Sequence, residues 1–299
     1  MPFWIVTDAC CDLPEKYIHS HQNLKVVPML YQADNDSRML DLESKDAENE
    51  TREFYARMRS GASTKTSSIN EASWTEQVEP LLEGGNDVLI LAFSGGLSNT
   101  ATQAAMAAEK LKKKYPDRKI RSVDSLSASL GEGLFVHRVL EKRDEGMPFE
   151  ECAEWAENNV QNTIHWFTVE DLVYLKRGGR ISAASYFAAT MLKIKPVLNV
   201  DPNGHLVGRE KVVGRRRSVK ALLDRTAEFA DDIRNQTVFI GHGDCPEDAE
   251  WLKEKLKADL GVKDVMVSYI GPVIGAHSGP GTLAVFFRGK DGAGRMEAE

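Results

Sequence analysis

The segment Asp87–Phe93 (DVLILAF), the loop 94–99 (SGGLSN) and the helix-like stretch from Thr100 decide the fold class. The first seven residues are a nearly continuous apolar run of strand length, which is typical of a strand buried on both faces of a sheet. The loop is short and polar. From Thr100 onward, apolar residues recur at helical spacing until Pro116 ends the pattern. The order strand, loop, helix predicts a parallel α/β unit.

The rest of the N-terminal half repeats this order. A strand at 120–123 is followed by a helix reaching about residue 145, which is the second strand–loop–helix unit. Upstream, we predict strands at 3–7 and 25–31, a solvated acidic loop within 34–53, a helix over about 46–60 and a Ser/Thr-rich turn at 63–68. Residues 1–160 are therefore predicted to form an N-terminal parallel-sheet α/β/α domain.

The pattern changes after Gly146, because hairpins now mix with helices. A helical stripe at 149–160 leads into the next strand. The predicted strands are 164–169, 197–200, 206–212, 238–240, 265–270 and 283–287, and further helices are predicted over about 218–234 and 249–260. The turn 201–204 (DPNG) suits a hairpin. Residues 161–299 are therefore predicted to form a C-terminal mixed α+β domain.

Composition excludes several classes of protein. The chain has 299 residues, of which 42% are hydrophobic and 28% charged, and these values are ordinary for a globular protein. A net charge of −7 argues against broad affinity for nucleic acid or anionic membranes. The longest apolar run, Val88–Phe93, is far shorter than the ~20 residues of a membrane-spanning helix. The N-terminus lacks the features of a signal peptide, and the four cysteines suit a reducing compartment. We expect a soluble, cytoplasmic protein.

Standard catalytic and metal motifs are missing from the sequence. Ala92 stands where the nucleophile elbow GxSxG needs its first glycine before Ser94, and no Walker motif is present. The segment 279–284 (GPGTLA) precedes a predicted strand, which is the wrong context for a dinucleotide site. The seven histidines form no HExxH motif. We therefore expect neither a metal nor a cofactor.

The loop before the predicted helix at Thr100 is the first candidate site. The hydroxyls of Ser94, Ser98 and Thr100 lie near the first free N–H groups of that helix, where an anion is stabilised. The same residue types also cap helices, and Ser98, Asn99 or Thr100 would serve that purpose. Spacing alone leaves an anion site and simple capping equally open.

Three further segments carry candidate polar groups. Arg177-Gly-Gly-Arg180 offers two guanidinium groups to an anion, or is a surface turn. The segment 211–220 (KVVGRRRSVK) suits a local anion site, a solvated turn or, less well, nucleic acid, because no aromatic residues interleave. His277 lies among glycines in a predicted loop, where most lone histidines have no catalytic role.

Eight segments, in this order, resemble the DegV family of fatty-acid-binding proteins. They are IVTDACCDLP (5–14), TSS (66–68), SGGLSNT (94–100), VDSLSASLGEG (123–133), DLVYLKRGGRIS (171–182), LKIKPVL (192–198), FIGHGD (239–244) and GPVIGAHSGPGTLAVFF (271–287). The resemblance runs nearly end to end. It implies two α/β domains with one long-chain fatty acid buried between them.

The resemblance also implies site residues. The fatty acid carboxylate would be held by Thr66 with Ser67 and by Ser94, Ser98 and Thr100. His277 and an arginine, of which Arg216 fits best among Arg215–Arg217, would face the head group together with Arg180. In bacteria that have a fatty acid kinase, such proteins present the fatty acid for acyl phosphate formation. The resemblance thus implies a carrier subunit that is not itself an enzyme.

The chain departs from the family pattern at four positions. Ala9 stands in place of Ser, Ile69 in place of Pro, Gly95 in place of Ser and Asn99 in place of Gly. Gly95 removes one hydroxyl from the expected carboxylate site.

The sequence also leaves two other functions open. One is an enzyme acting on a phosphorylated metabolite with His277 as acid or base. The other is a nucleotide- or nucleic-acid-binding regulator that uses Arg215–Arg217.

Overall fold

The computed structural model describes residues 3–181, 194–290 and Arg295. Ser182, Leu192 and Lys193, which belong to two of the motifs above, lie outside the described residues. The strands are β1 (Trp4–Asp8), β2 (Leu24–Val27), β3 (Met29–Ala33), β4 (Asp36–Leu40), β5 (Thr64–Thr66), β6 (Val88–Ala92), β7 (Ile120–Asp124), β8 (Thr163–Thr168), β9 (Ile194–Val200), β10 (Leu206–Val213), β11 (Thr237–His242), β12 (Asp264–Tyr269) and β13 (Leu283–Arg288). The α-helices are α1 (Glu15–Ser20), α2 (Ala47–Arg59), α3 (Glu71–Glu83), α4 (Thr100–Lys114), α5 (Leu130–Asp144), α6 (Phe149–Asn159), α7 (Val173–Arg177), α8 (Arg215–Phe229), α9 (Pro246–Leu260) and α10 (Pro272–Ser278).

The N-terminal sheet is parallel, in the order β2-β1-β6-β7. Its central strand β6 is buried at every residue, as the apolar run in the sequence predicts. Helices α3, α4, α5 and α6 contact its strands. The predicted strand–loop–helix units are confirmed, and the loops after β1, β6 and β7 emerge at the same edge of this sheet.

A small antiparallel sheet, in the order β4-β3-β5, corrects two predictions. The segment 25–31 is not one strand, because it divides at Pro28 into β2 and β3, which belong to different sheets. Proline lacks the N–H group that a ladder needs, so it suits a break between strands. The acidic segment 34–53 is not only loop and helix, because it contains β4, and the turn at 63–68 contains β5.

The C-terminal sheet has six strands in the order β10-β9-β8-β13-β11-β12 and is mixed, since only β11 and β12 pair in parallel. The predicted hairpin between β9 and β10 is present. Its turn is closed by Asp201 N–H donating to the His205 carbonyl at 2.9 Å. The helix predicted over 218–234 lies three to five residues earlier, as α8. The segment around His277, predicted as a loop, is the short helix α10.

One apolar core joins the two halves of the chain. Helix α5 contacts β1 on one side and β8, β11 and β13 on the other, so it lies between the N-terminal and C-terminal sheets. The larger core cluster contains Ile90 and Phe135 from the first half together with Phe239 and Phe286 from the second. A second cluster packs α8 and α9 against the C-terminal sheet. The fold is therefore the expected α/β architecture, with a parallel-sheet part and a mixed-sheet part. The domain boundary after residue 160 stays a prediction.

Candidate functional site

A cavity of about 500 Å³ lies between the two halves of the molecule. Its wall is mostly apolar, and residues of both halves contribute to it. The lining residues are Cys10, Met29, Thr66, Ser67, Ser68, Phe93, Leu97, Ser98, Asn99, Ala128, Ser129, His165, Phe167, Leu175, Arg180, Val200, Leu206, Ile270, Val273, Ile274, His277, Ser278, Thr282, Ala284 and Phe286. Ser67, Ser68 and Asn99 are exposed. We call the polar end of the cavity, lined by Thr66, Ser67, Ser68, Ser98, Asn99, Arg180 and His277, the mouth. The mouth reaches the solvent.

Thr66 and His277 meet at this mouth. Thr66 is the last residue of β5, and His277 lies in the last turn of α10, 211 positions away. The Nε2 atom of His277 is 2.7 Å from Oγ1 of Thr66. Burial, and then the charge of Arg180, lower the pKa of His277 to about 4. The imidazole is therefore neutral at pH 7 and carries a single N–H group.

Arg180 is the one cation among the described residues that line the cavity. Its Nε donates to the Leu97 carbonyl at 3.2 Å, and its Nη1 donates to the Gly178 carbonyl. Burial lowers the pKa of the Arg180 guanidinium. The group nevertheless keeps its charge, because arginine is not deprotonated in proteins. These bonds join the loop after β6 to the segment after α7. They place a positive charge next to His277.

The loop 94–99 contributes Ser98 to the mouth. Its Oγ lies 2.9 Å from Thr100 Oγ1 and accepts a hydrogen bond from the Thr100 N–H at 3.3 Å. Ser98 therefore satisfies a backbone donor at the start of α4 and also lines the cavity. The N-cap residue of α4 is Asn99, whose side chain makes no capping hydrogen bond, and Ser98, one residue earlier, bonds the Thr100 N–H instead.

Ser94 and Thr100 are fully buried and do not line the cavity. The Oγ of Ser94 donates to the Gly204 carbonyl at 2.9 Å and accepts from the Gly96 N–H at 3.2 Å. Ser94 thus connects this loop to the β9–β10 turn. The hydroxyl of Thr100 turns back to Ser98. In this structure both hydroxyls bond within the protein and lie outside the cavity wall, and their predicted part in a carboxylate site stays a prediction.

The presence of glycine at position 95, where the family pattern has a serine, has a steric explanation. The Gly95 N–H faces both carboxylate oxygens of Asp124, at 3.1 and 3.0 Å. A Cβ atom at this position would lie 2.4 Å from Asp124 Oδ2. The Asp124 carboxylate therefore occupies the space that a side chain at position 95 would need.

The structure does not bring Arg216 to the mouth. Its guanidinium carbon lies 5.4 Å from the ring centroid of Trp251, and the residue does not line the cavity. The neighbouring Arg215 pairs with Asp248 at 2.8 Å. A guanidinium stacked on an indole is held by cation–π attraction. Arg180 therefore lines the cavity and Arg216 does not, and which arginine faces a ligand head group stays a prediction.

Sequence reasoning missed the polar residues of the inner wall. His165 is 2% exposed, and its Nε2 accepts a hydrogen bond from the Ala128 N–H at 3.4 Å. Burial and the nearby Arg295 hold its pKa well below the usual range. Ser129 lines the wall next to it. The alternation of strand β8, which puts His165 and Phe167 on one face, is the signal that could have found the histidine.

Three buried carboxyl groups support the loops behind the cavity. Asp8 accepts from the N–H groups of Cys10 and Phe93, at 3.0 and 2.9 Å. Asp12 accepts from the Ser129 hydroxyl at 2.6 Å and from the Gly271 N–H at 2.9 Å. Burial raises the pKa of Asp8 to about 6 and that of Asp12 to about 7, and it raises the pKa of Glu132 well above its usual value. These groups tie elements together behind the wall.

Two further observations concern the described residues as a whole. In the described ranges, no group of three or more His, Cys, Asp or Glu side chains is arranged to hold a metal ion. No helix formed by those residues is long and apolar enough to cross a bilayer. The arrangement is that of a binding site: an apolar cavity between two packed halves, with hydroxyl, imidazole and guanidinium groups at its mouth.

Comparisons with known proteins agree with this class. A family model described as "Uncharacterised protein, DegV family" matches residues 2–290. A DegV domain-containing protein of Clostridium perfringens is 38% identical over 287 residues, which are 96% of this chain and 97% of the relative. The chain belongs to the DegV family.

Solved structures show the same fold. A DegV family protein from Thermus thermophilus, described by its fatty acid binding, has a TM-score of 0.85 and 28% identity over 97% of this chain and 100% of its own. The Fatty Acid Kinase (Fak) B3 protein of Streptococcus pneumoniae, loaded with linoleic acid, has a TM-score of 0.82 and 20% identity over the same shares. The second likeness, at that identity, concerns the fold alone.

Proposed function

We propose that this protein binds one long-chain fatty acid in the cavity, with the acyl chain along the apolar wall and the carboxylate at the mouth. The observation that carries the proposal is the Thr66–His277 pair beside Arg180 at the open end of an apolar cavity. The fatty acid binding of the Thermus thermophilus relative supports it. Thr66, Ser67, Ser98, His277 and Arg180 are the proposed head-group residues.

The energetics of such a complex are reasonable. Burying about 15 CH₂ and CH₃ groups of an acyl chain contributes on the order of 12 kcal/mol before the cost of immobilising the ligand is subtracted. The head group then needs only modest stabilisation. Hydroxyl donors and one partly buried guanidinium supply it, and charge-assisted hydrogen bonds fix the orientation of the carboxylate.

The test is to identify what the purified protein carries. We expect organic extraction and mass spectrometry to recover about one fatty acid per chain. Recovery of a stoichiometric phosphate ester or nucleotide with no lipid would overturn the proposal. That result would favour the alternative, an enzyme that acts on a phosphorylated metabolite with His277 as acid or base.

We further propose that the bound fatty acid is presented to a fatty acid kinase, which transfers the γ-phosphoryl group of ATP to the carboxylate oxygen and leaves ADP. The family resemblance supports this role. Arg180, beside the head group, suits the added phosphate charge, because a phosphoryl group carries about two negative charges.

Replacing Arg180 tests this second step. Arg180→Ala is expected to lower acyl phosphate formation, assayed with a cognate kinase and ATP, more than it lowers fatty acid occupancy measured by mass spectrometry. Arg216→Ala is the matched control, since it removes an arginine outside the mouth, and it should leave both quantities unchanged. Equal turnover in the Arg180 and Arg216 variants would remove Arg180 from the presentation site.

A further inference from the structure

Gly178 stands at a point where the backbone does not require glycine. It ends α7 with φ −72° and ψ −12°, which any residue adopts. A Cβ atom at this position would nevertheless lie 2.2 Å from Nδ1 of His277, 3.1 Å from its Cγ and 3.3 Å from its Cε1. The absent side chain therefore leaves room for the imidazole of His277.

Rotation of the ring about its Cβ–Cγ bond would relieve the contact with Nδ1, but it would also move Nε2 and would leave Cγ 3.1 Å from the new Cβ atom. The imidazole would therefore have to shift. That shift would move Nε2 away from the Thr66 hydroxyl, now at 2.7 Å. The close approach of Gly178 and the Thr66 contact are thus parts of one arrangement.

The same arrangement bears on the position of the proton. Neutral His277 has one N–H group, and its Nδ1 is buried without a hydrogen-bond partner among the described residues. A buried N–H without an acceptor is rarer in proteins than an unpaired acceptor. The proton therefore belongs on Nε2, which donates to Thr66 Oγ1. The hydroxyl hydrogen of Thr66 is then free to point elsewhere.

We propose that Gly178 is a positioning residue for the head-group site. Because it has no side chain, the His277 ring can lie where its Nε2–H donates to Thr66, and the Thr66 hydroxyl then donates to an anionic head group in the mouth. The nature of that ligand, a carboxylate, rests on the proposed function. The placement of the His277 ring does not depend on the proposed function.

The primary experiment is made on delipidated protein. Side-chain ¹H–¹⁵N spectra report the tautomer of His277, and we expect the neutral Nε2–H form in the parent. Gly178→Ala should shift the His277 signals, and Thr66→Val, which removes the acceptor without adding a clash, should perturb the same signals. Gly208→Ala is the matched control, because Gly208 is exposed and a Cβ atom there meets nothing within 4 Å. Unchanged His277 signals in Gly178→Ala would overturn the proposal.

A double-mutant cycle separates positioning from a general effect on folding. Gly178→Ala should lower the Tm of the parent but not that of His277→Ala, in which the clashing ring is gone and alanine suits the helical backbone. An equal loss of Tm in both backgrounds would contradict the proposal.

Fatty acid affinity is the third measurement, with an expected loss of about tenfold in Gly178→Ala, the scale of one charge-assisted hydrogen bond. A parent that binds no fatty acid would refute the proposed function, while the spectra and the Tm cycle would still decide the role of Gly178.

Discussion

Thr66 and His277 show how the fold changes the chemistry of single residues. A free histidine titrates near pH 6.5, whereas burial beside Arg180 keeps His277 neutral to a pH of about 4. The motif resemblance identifies both residues from the sequence. Their contact is not predictable in that way, because it joins a strand and a helix 211 positions apart. The position of Arg216 was unpredictable for the same reason. Three consecutive arginines look alike in a sequence, and only the contacts of Arg216 with Trp251 and of Arg215 with Asp248 distinguish them.

The different environments of Thr66 and Ser94 lead to opposite expectations for two similar substitutions. Thr66→Ala should weaken fatty acid binding by about 1–2 kcal/mol through the loss of a hydrogen bond to a charged group, and Thr66→Ser should restore most of it. Ser94→Ala should lower the Tm, because it leaves the buried Gly204 carbonyl without its donor, and should change affinity little. Calorimetric titration and thermal unfolding measure the two effects. A loss of affinity in Ser94→Ala at an unchanged Tm would return Ser94 to the ligand site.

At the scale of elements, the strongly patterned segments were predictable and the short ones were not. Strand β6, helix α4 and the β9–β10 hairpin follow from an apolar run, helical spacing and the DPNG turn. The small sheet of β3, β4 and β5 was missed because its strands are at most five residues long and β4 lies in an acidic segment. Helix α10 was missed because its seven residues sit among glycines and serines. Contacts with residues far away in the sequence stabilise these short elements, and the local sequence does not reveal such contacts.

Asp12 links three elements, and its protonation should be visible in stability. Its carboxyl joins the turn after β1 to the start of α5 and to the start of α10, with Asp8 and Glu132 nearby. Its pKa is raised from 3.8 to about 7 in the folded state, so the folded protein holds a proton that the unfolded chain releases. Its contribution is therefore present at low pH and is lost as the pH rises from about 4 to about 7.

Replacing Asp12 by Asn isolates this contribution. Asn keeps an acceptor for the Gly271 N–H and cannot ionise, so the Tm of Asp12→Asn should fall less between pH 5 and pH 8 than that of the parent. Thermal unfolding at a series of pH values measures this difference. Asp8 and Glu132 are present in both proteins but interact with Asp12 through their charges, so the comparison reports on Asp12 together with its effect on these two neighbours. Parallel Tm curves would show that Asp12 does not titrate in this range.

At the scale of the whole molecule, two sheet systems share one core. Residues of both halves pack in the same cluster, and α5 lies between the sheets. The overall α/β class was predictable because strand–loop–helix order in the first half and hairpins in the second are visible in the sequence. The shared core was not, since apolar periodicity shows which face of an element is buried but not what covers it.

This shared core predicts cooperative unfolding. Calorimetry should show a single transition, because the larger core cluster contains residues of both halves and loses part of its packing if either half unfolds. Fatty acid at about 100 times its Kd should add ~2.7 kcal/mol to the free energy of unfolding and raise the Tm of that one transition. Acetate at the same concentration, which has the carboxylate without the long acyl chain, is the control. Two resolved transitions, of which only one responds to ligand, would contradict the prediction.

The placement of the mouth residues has a consequence for substitutions. Thr66 ends a strand, Ser98 precedes a helix, Arg180 follows one and His277 closes another, so none of them lies in the middle of a core element. Substitutions at these element ends can therefore change the polar end of the cavity while the sheets that hold those ends keep their packing.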